Sequence, residues 1–183
     1  MCVLDTLKVG RAHVVGFSDG GIECLILARD WPDRIASIVA IGANITPEGV
    51  LEEPDWDIEG TMRENLDWAT YWTDPGTACE QRPEDVDRTL LEPSPEVAFN
   101  TFELMRLMLE EPHISAESLD SISCETCVVC GEWDAISEYE TALIARSIPG
   151  ARLVVVDEAY HSLPKHECDV VTRIVEETIG RAS

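Results

Sequence analysis

Lysine is almost absent from this chain. Only Lys8 and Lys165 occur, and 13 basic residues face 36 acidic ones for a formal net charge of −23. A field of that sign repels phosphate backbones and anionic headgroups, so no nucleic-acid partner and no membrane surface is expected. Long apolar runs are absent too: no stretch approaches the roughly 18 apolar residues of a spanning helix. The opening MCVLDTLKVGR lacks the basic n-region and apolar h-region of a signal peptide. It reads instead as the end of a helix with Val3, Leu4 and Leu7 on one face. The seven cysteines, Cys2, Cys24, Cys79, Cys124, Cys127, Cys130 and Cys168, are odd in number and suit reduced thiols in a cytoplasmic protein. Cys124, Cys127 and Cys130 are spaced like metal ligands, but no second Cys/His pair follows at zinc-site spacing. They read as residues on alternate faces of a strand, and neither a metal nor another cofactor is expected.

What the chain does have is apolar content, 45% of 183 residues, enough for one core-forming domain with an inserted subdomain. Its organising stretch is Ala12 to Arg29, AHVVGFSDGGIECLILAR. Val14 and Val15 have strand character, a helix-length apolar run starts after Gly21, and Gly16-Phe17-Ser18-Asp19-Gly20 lies between them. This is the Gly-x-Ser-x-Gly nucleophile elbow, a sharp strand-to-helix turn that lifts one hydroxyl clear of a sheet edge. The strained turn leaves little room two residues either side of the serine, which accounts for Gly16 and Gly20.

After a turn at Asp30–Arg34, Ile35 to Ile41 is β-branched without polar alternation, as in a parallel strand covered on both faces. Residues 10–42 therefore read as one right-handed strand–helix–strand unit. From Asn44 the chain turns acidic and is broken by Pro47, Pro54, Pro75, Pro83, Pro93 and Pro95. Between the breaks, Thr61 to Trp72 is a helix with Trp68 and Trp72 on one stripe and Met62, Leu66 and Ala69 beside it. Ser94 caps a second helix with Ala98, Phe102, Met105 and Leu109 aligned. Ala116 to Ile122 is a connector, Cys124 to Cys130 a buried strand, Ile136 to Ile148 a helix, Leu153 to Val156 a strand and Cys168 to Ile179 the last helix. The expected fold is α/β: a parallel sheet of about four strands with flanking helices, split into core segments 1–43 and 113–183 by a helical lid at 44–112.

A serine hydroxyl needs a base to take its proton, and that base needs an orienting acid. In an open parallel sheet such groups lie on loops past the strand C-termini. Asp134 is expected four residues past one strand and His161 five past the next, in a loop that starts at Asp157. His13 lies within a strand, His113 in a connector and His166 on the last helix, so none competes well. Glu132 and Asp157 are weaker rivals for the acid.

The order Ser18, Asp134, His161 is that of the α/β-hydrolase triad. GFSDGG, IGANITPEGV, CVVCGEWDAI and IPGARLVVVDEAYHSLP resemble segments of the α/β-hydrolase-fold serine hydrolases, in the branch that includes valacyclovir hydrolase. The resemblance runs from about residue 3 to residue 180. It implies Ser18 as nucleophile, Asp134 as acid, His161 as base and the Asp19 amide as one oxyanion donor. It also implies a substrate contact from Asp19, and Trp133, beside Asp134, is a further expected substrate contact. The expected activity is cleavage of a small-molecule ester or amide through an acyl-enzyme. The family carries further strands ahead of the elbow, one of whose loops supplies the second oxyanion donor. A second reading follows from that: a silent or weakly active C-terminal fragment, with a second copy or a partner chain at the open edge of the first strand.

Overall fold

The computed structural model describes residues 1–51, 57–73 and 94–182. Pro54, Pro75, Pro83, Pro93 and Cys79 lie outside the described residues, as does the side chain of Trp72. The chain divides into two compact units, Met1–Leu51 with Pro112–Ser183, and Glu52–Glu111.

The first unit is a parallel sheet of β1 (Ala12–Phe17), β2 (Ile35–Ile41), β3 (Glu125–Trp133) and β4 (Arg152–Tyr160), in that spatial order. Alternate residues of the central strands enter opposite apolar layers, as the two-residue period of a strand requires. On one face Ile38, Ala40 and Val128 pack with Cys24, Leu25 and Ala28 of α2 (Asp19–Asp30) and Ile144 of α5 (Glu138–Ser147). On the other, Val39, Ile41, Cys127 and Val129 pack with Ile174 of α7 (Cys168–Arg181). Cys127 and the half-buried Cys124 thus serve different layers, and burial pushes the thiols of Cys24 and Cys130 up to about 12 and about 11. They are neutral packing groups. A short helix, α1 (Cys2–Thr6), precedes β1. Among the described residues β1 pairs on one side only, and Val15 and Phe17 on it are 46% and 37% exposed.

Both C-terminal strands are longer than expected, which relocates two loops. The run Asp157–Tyr160 belongs to β4, so Asp134 and His161 follow their strands directly rather than four and five residues beyond. The cause is a bulge. Gly131 has no side chain where the Ala159 carbonyl approaches, and the pairing register shifts between Gly131 and Trp133. Glu158 takes the extra turn at φ 54, its amide donating to Glu132 Oε2 at 2.8 Å, and Trp133 then pairs with Tyr160. Two smaller expectations also change. Ala116–Ser121 is a 3-10 helix rather than a plain connector, and His166 ends a separate short helix, α6 (Leu163–His166), ahead of α7.

The second unit pairs α3 (Ile58–Thr73) with α4 (Pro95–Glu110), closed around Trp68, Ala69 and Ala98. Ser94 caps α4, its Oγ accepting from the Val97 amide at 3.3 Å. Leu66 and Leu109, expected on packed stripes, are exposed instead. Leu66 is set to the flank of the face that Trp68 and Ala69 present, and Leu109 lies in the last turn of α4.

Candidate active site

Ser18 is the single residue between β1 and α2, held at φ 55 and ψ −120. That conformation is costly for a residue with a side chain and persists only where neighbours fix it. The Ser18 amide donates to the Ile41 carbonyl at 2.8 Å, and its own carbonyl accepts from the amides of Gly21 at 2.8 Å and Ile22 at 3.1 Å. Gly16 is required here, because a Cβ on it would overlap the Gly20 carbonyl. Gly20 is not: a Cβ there would meet nothing within 4 Å. The tight partner on the helix side is Gly21, where a Cβ would stand 3.0 Å from the Ile41 carbonyl and 3.1 Å from the Ala43 side chain.

Asp134 and His161 reach the same end of the sheet from the neighbouring strands. The Asp134 side chain is 2% exposed. One carboxylate oxygen accepts from the Gly131 amide at 3.0 Å, and the other from the Ile136 amide at 3.0 Å and from His161 Nδ1 at 2.6 Å. Burial acts to raise its pKa. The hydrogen bonds from His161, Gly131 and Ile136 outweigh burial and hold the carboxyl below the ordinary aspartate value. An ionised carboxylate only accepts, so Nδ1 of His161 carries the proton and Nε2 presents a lone pair. That Nε2 lies 3.2 Å from Ser18 Oγ. The structure thus brings together the three side chains singled out from sequence. A hydroxyl, a proton acceptor and a buried anion stand in line.

Two neighbours fix the imidazole. The Phe17 ring lies against it at 4.9 Å between centroids. Gly42, at φ +57 just past β2, forms a wall: a Cβ there would be 2.8 Å from His161 Cε1 and 2.9 Å from Nδ1. Sequence reasoning missed Gly42, although its place past the C-terminus of a central strand was a usable signal. It also missed Glu140, a buried carboxylate on α5.

The remaining candidates are placed as follows. Asp19 is exposed and opens α2, where the first amides of a helix have no partner within it. Trp133 directly precedes Asp134, yet its described ring contact is with Tyr160, at 5.1 Å, and not with His161. His13 Nδ1 is bonded to Ser37 Oγ at 2.8 Å, while His113 and His166 are exposed. Among the described residues no group of three or more His, Cys, Asp or Glu side chains could hold a metal ion, and no helix is long and apolar enough to cross a membrane.

The family model of the alpha/beta hydrolase fold matches residues 2–68. A serine hydrolase of Mus musculus, BPHL, is 26% identical over 186 residues, a match covering 96% of this chain and 57% of that protein. The chain therefore spans a little over half the length of this curated relative. Among solved structures, a thermophilic esterase from Thermogutta terrifontis superposes with a TM-score of 0.63 at 24% identity, covering 98% of this chain and 69% of that one. An alpha/beta fold family hydrolase from Bacillus anthracis does so at 0.66 and 17%, covering 96% and 70%. With a four-stranded parallel sheet, a strand–serine–helix turn and these likenesses together, the chain has the α/β-hydrolase fold and resembles within it the branch of the serine hydrolase BPHL.

Proposed function

We infer that this protein is a serine hydrolase that cleaves ester or amide bonds of a small molecule through an acyl-enzyme on Ser18. The observation that carries the reading is the continuous line from Ser18 Oγ to His161 Nε2 at 3.2 Å and from His161 Nδ1 to Asp134 at 2.6 Å. His161 takes the Ser18 proton as Oγ attacks the carbonyl carbon, and Asp134 stabilises the imidazolium so formed. The tetrahedral oxyanion is met by the Asp19 amide at the start of α2, a group whose orientation costs nothing at the moment of reaction. Collapse expels an alcohol or amine that leaves with the proton from His161. Water, deprotonated by the same imidazole, then releases the acid and restores Ser18. The class named for the mouse relative, serine hydrolase, is the same.

Charge narrows the substrate class. The exposed carboxylate of Asp19 adjoins the nucleophile, and the chain carries −23 overall. Neutral and cationic substrates are favoured, with an ammonium group placed on Asp19. Matched aminoacyl and succinyl esters of one chromogenic alcohol test this. The cationic ester is expected to have the higher kcat/KM, by about tenfold at low salt, with the gap narrowing as salt screens it. Faster turnover of the anionic ester would contradict the assignment.

A second reading has its own observation: Val15 and Phe17 stand exposed on a strand that, among the described residues, is paired on one side only. Such an edge takes up another strand readily. On this reading a second copy or a partner chain completes the sheet, and light scattering of the purified chain is expected to give at least a dimer. A stable monomer that turns over ester would dismiss it.

A further inference from the structure

One buried carboxylate has no part in the chemistry above. Glu140 lies in the first turn of α5 and is 3% exposed. Ser137-x-x-Glu140 spells a capping box, in which the glutamate returns to the serine amide. Only half of it forms. Ser137 Oγ accepts from the Glu140 amide at 3.2 Å, but the Ser137 amide donates to the Gly49 carbonyl at 2.8 Å. The Glu140 carboxylate turns away to the segment after β2, where one oxygen accepts from the Ile45 amide at 2.8 Å, the Thr46 amide at 2.7 Å and the Thr46 hydroxyl at 3.1 Å. Gly49 makes room for it: a Cβ there would sit 2.6 Å from Glu140 Cγ.

Burying a carboxylate is costly unless donors replace its water. Here three donors replace it, and all belong to one short segment. The near end of that segment is Gly42, the wall of the His161 ring. Its far end is joined to the residues just after Asp134, through the Leu51 amide on the Ala135 carbonyl at 2.7 Å and the bridge of Val50 with Ile136. The carboxylate therefore anchors the middle of a segment that touches the imidazole at one end and the Asp134 loop at the other.

We propose that Glu140 is a positioning residue for the Ser18–His161–Asp134 line: through Ile45 and Thr46 it holds Gly42 against His161 and keeps the ring directed at Ser18. The proposal deepens the serine hydrolase reading and shares its kinetic readout, so a second readout is independent of activity. The full chain is compared with Glu140→Ala, Glu140→Gln and a destabilised control remote from the site, Thr178→Val. The first readout is the rate at which a fluorophosphonate captures Ser18 in folded protein. The second is the downfield proton NMR signal of the His161 Nδ1–H bonded to Asp134, assigned by its loss in His161→Ala.

Glu140→Ala is expected to slow capture by about tenfold to a hundredfold and to lose the signal, because ångström-scale misplacement of a reacting group has effects of that order. Glu140→Gln keeps an acceptor oxygen and is expected to stay within about threefold of the parent with the signal in place. Thr178→Val is expected to melt lower yet capture at the parental rate. Should Glu140→Ala not fold, Glu140→Asp, one methylene short of the same donors, replaces it with the same expected order. Parental capture and an intact signal in the alanine variant would overturn the proposal, as would equal slowing in Thr178→Val. If the parent itself takes no label, the hydrolase reading fails on its own, and loss or retention of the signal in Glu140→Ala still decides the role of Glu140.

Discussion

Replacing His161 with alanine is expected to slow capture of Ser18 by a fluorophosphonate at least about a thousandfold, in a protein that stays folded but melts lower than the parent. The size follows from the geometry. Nε2 is the group within hydrogen-bond distance of Ser18 Oγ that can take its proton, at 3.2 Å. Without it the hydroxyl reacts at the rate of an ordinary alcohol. Melting falls because the buried Asp134 loses the hydrogen bond it accepts at 2.6 Å, and the fold persists because His161 lies just past β4, partly exposed and outside both apolar layers. A His161→Ala variant that reacts within about tenfold of the parent would show that Ser18 is not activated through the imidazole. Measuring the rate and the melting temperature on one preparation separates lost chemistry from lost fold.

Asp134→Asn is expected to act on reactivity and on the pH dependence of stability together. An asparagine amide in place of the carboxylate can donate to Nδ1, which favours the tautomer with its proton on Nε2, and about 10⁴-fold in rate is the loss expected. The pH effect has a definite sign. The carboxyl is held below its ordinary value, so its stabilising contribution is complete above the unfolded-state pKa, near 3.9, and is lost as pH falls through the lower folded-state value. The parent is therefore expected to melt higher than Asp134→Asn at neutral pH, and the gap should close below about pH 4. Thermal melts of both proteins from pH 7 to pH 3 check it. A gap that widens on acidification would mean that burial, not the His161 bond, governs this carboxyl.

The site was more legible than its supports. Gly16, Ser18 and the apolar runs on either side form a local pattern, and Asp134 and His161 follow because parallel strands bring their C-terminal ends to one edge. The length of β4 was not legible. Asp157 and Glu158 are charged, and the sequence around them reads as loop, whereas pairing continues because a distant Gly131 admits the Ala159 carbonyl and Glu132 receives the bulged amide. Gly20 shows the opposite error: a motif glycine assigned a steric duty that the space around it does not impose. Glu140 was hidden for a third reason. Its spacing from Ser137 satisfies a local rule, and only the tertiary placement of Ile45 and Thr46 redirects the carboxylate. For β4 and for Glu140 a partner remote in sequence decided the outcome.

The central claim, that Ser18 is an activated nucleophile, is tested most directly by the mass of the purified chain after brief exposure to a fluorophosphonate, with peptide mapping of the product. The account predicts one added phosphonyl group per chain, on the peptide containing Ser18, and none in Ser18→Ala. A chain that stays at its unmodified mass while folded, or one labelled equally in Ser18→Ala, would contradict it.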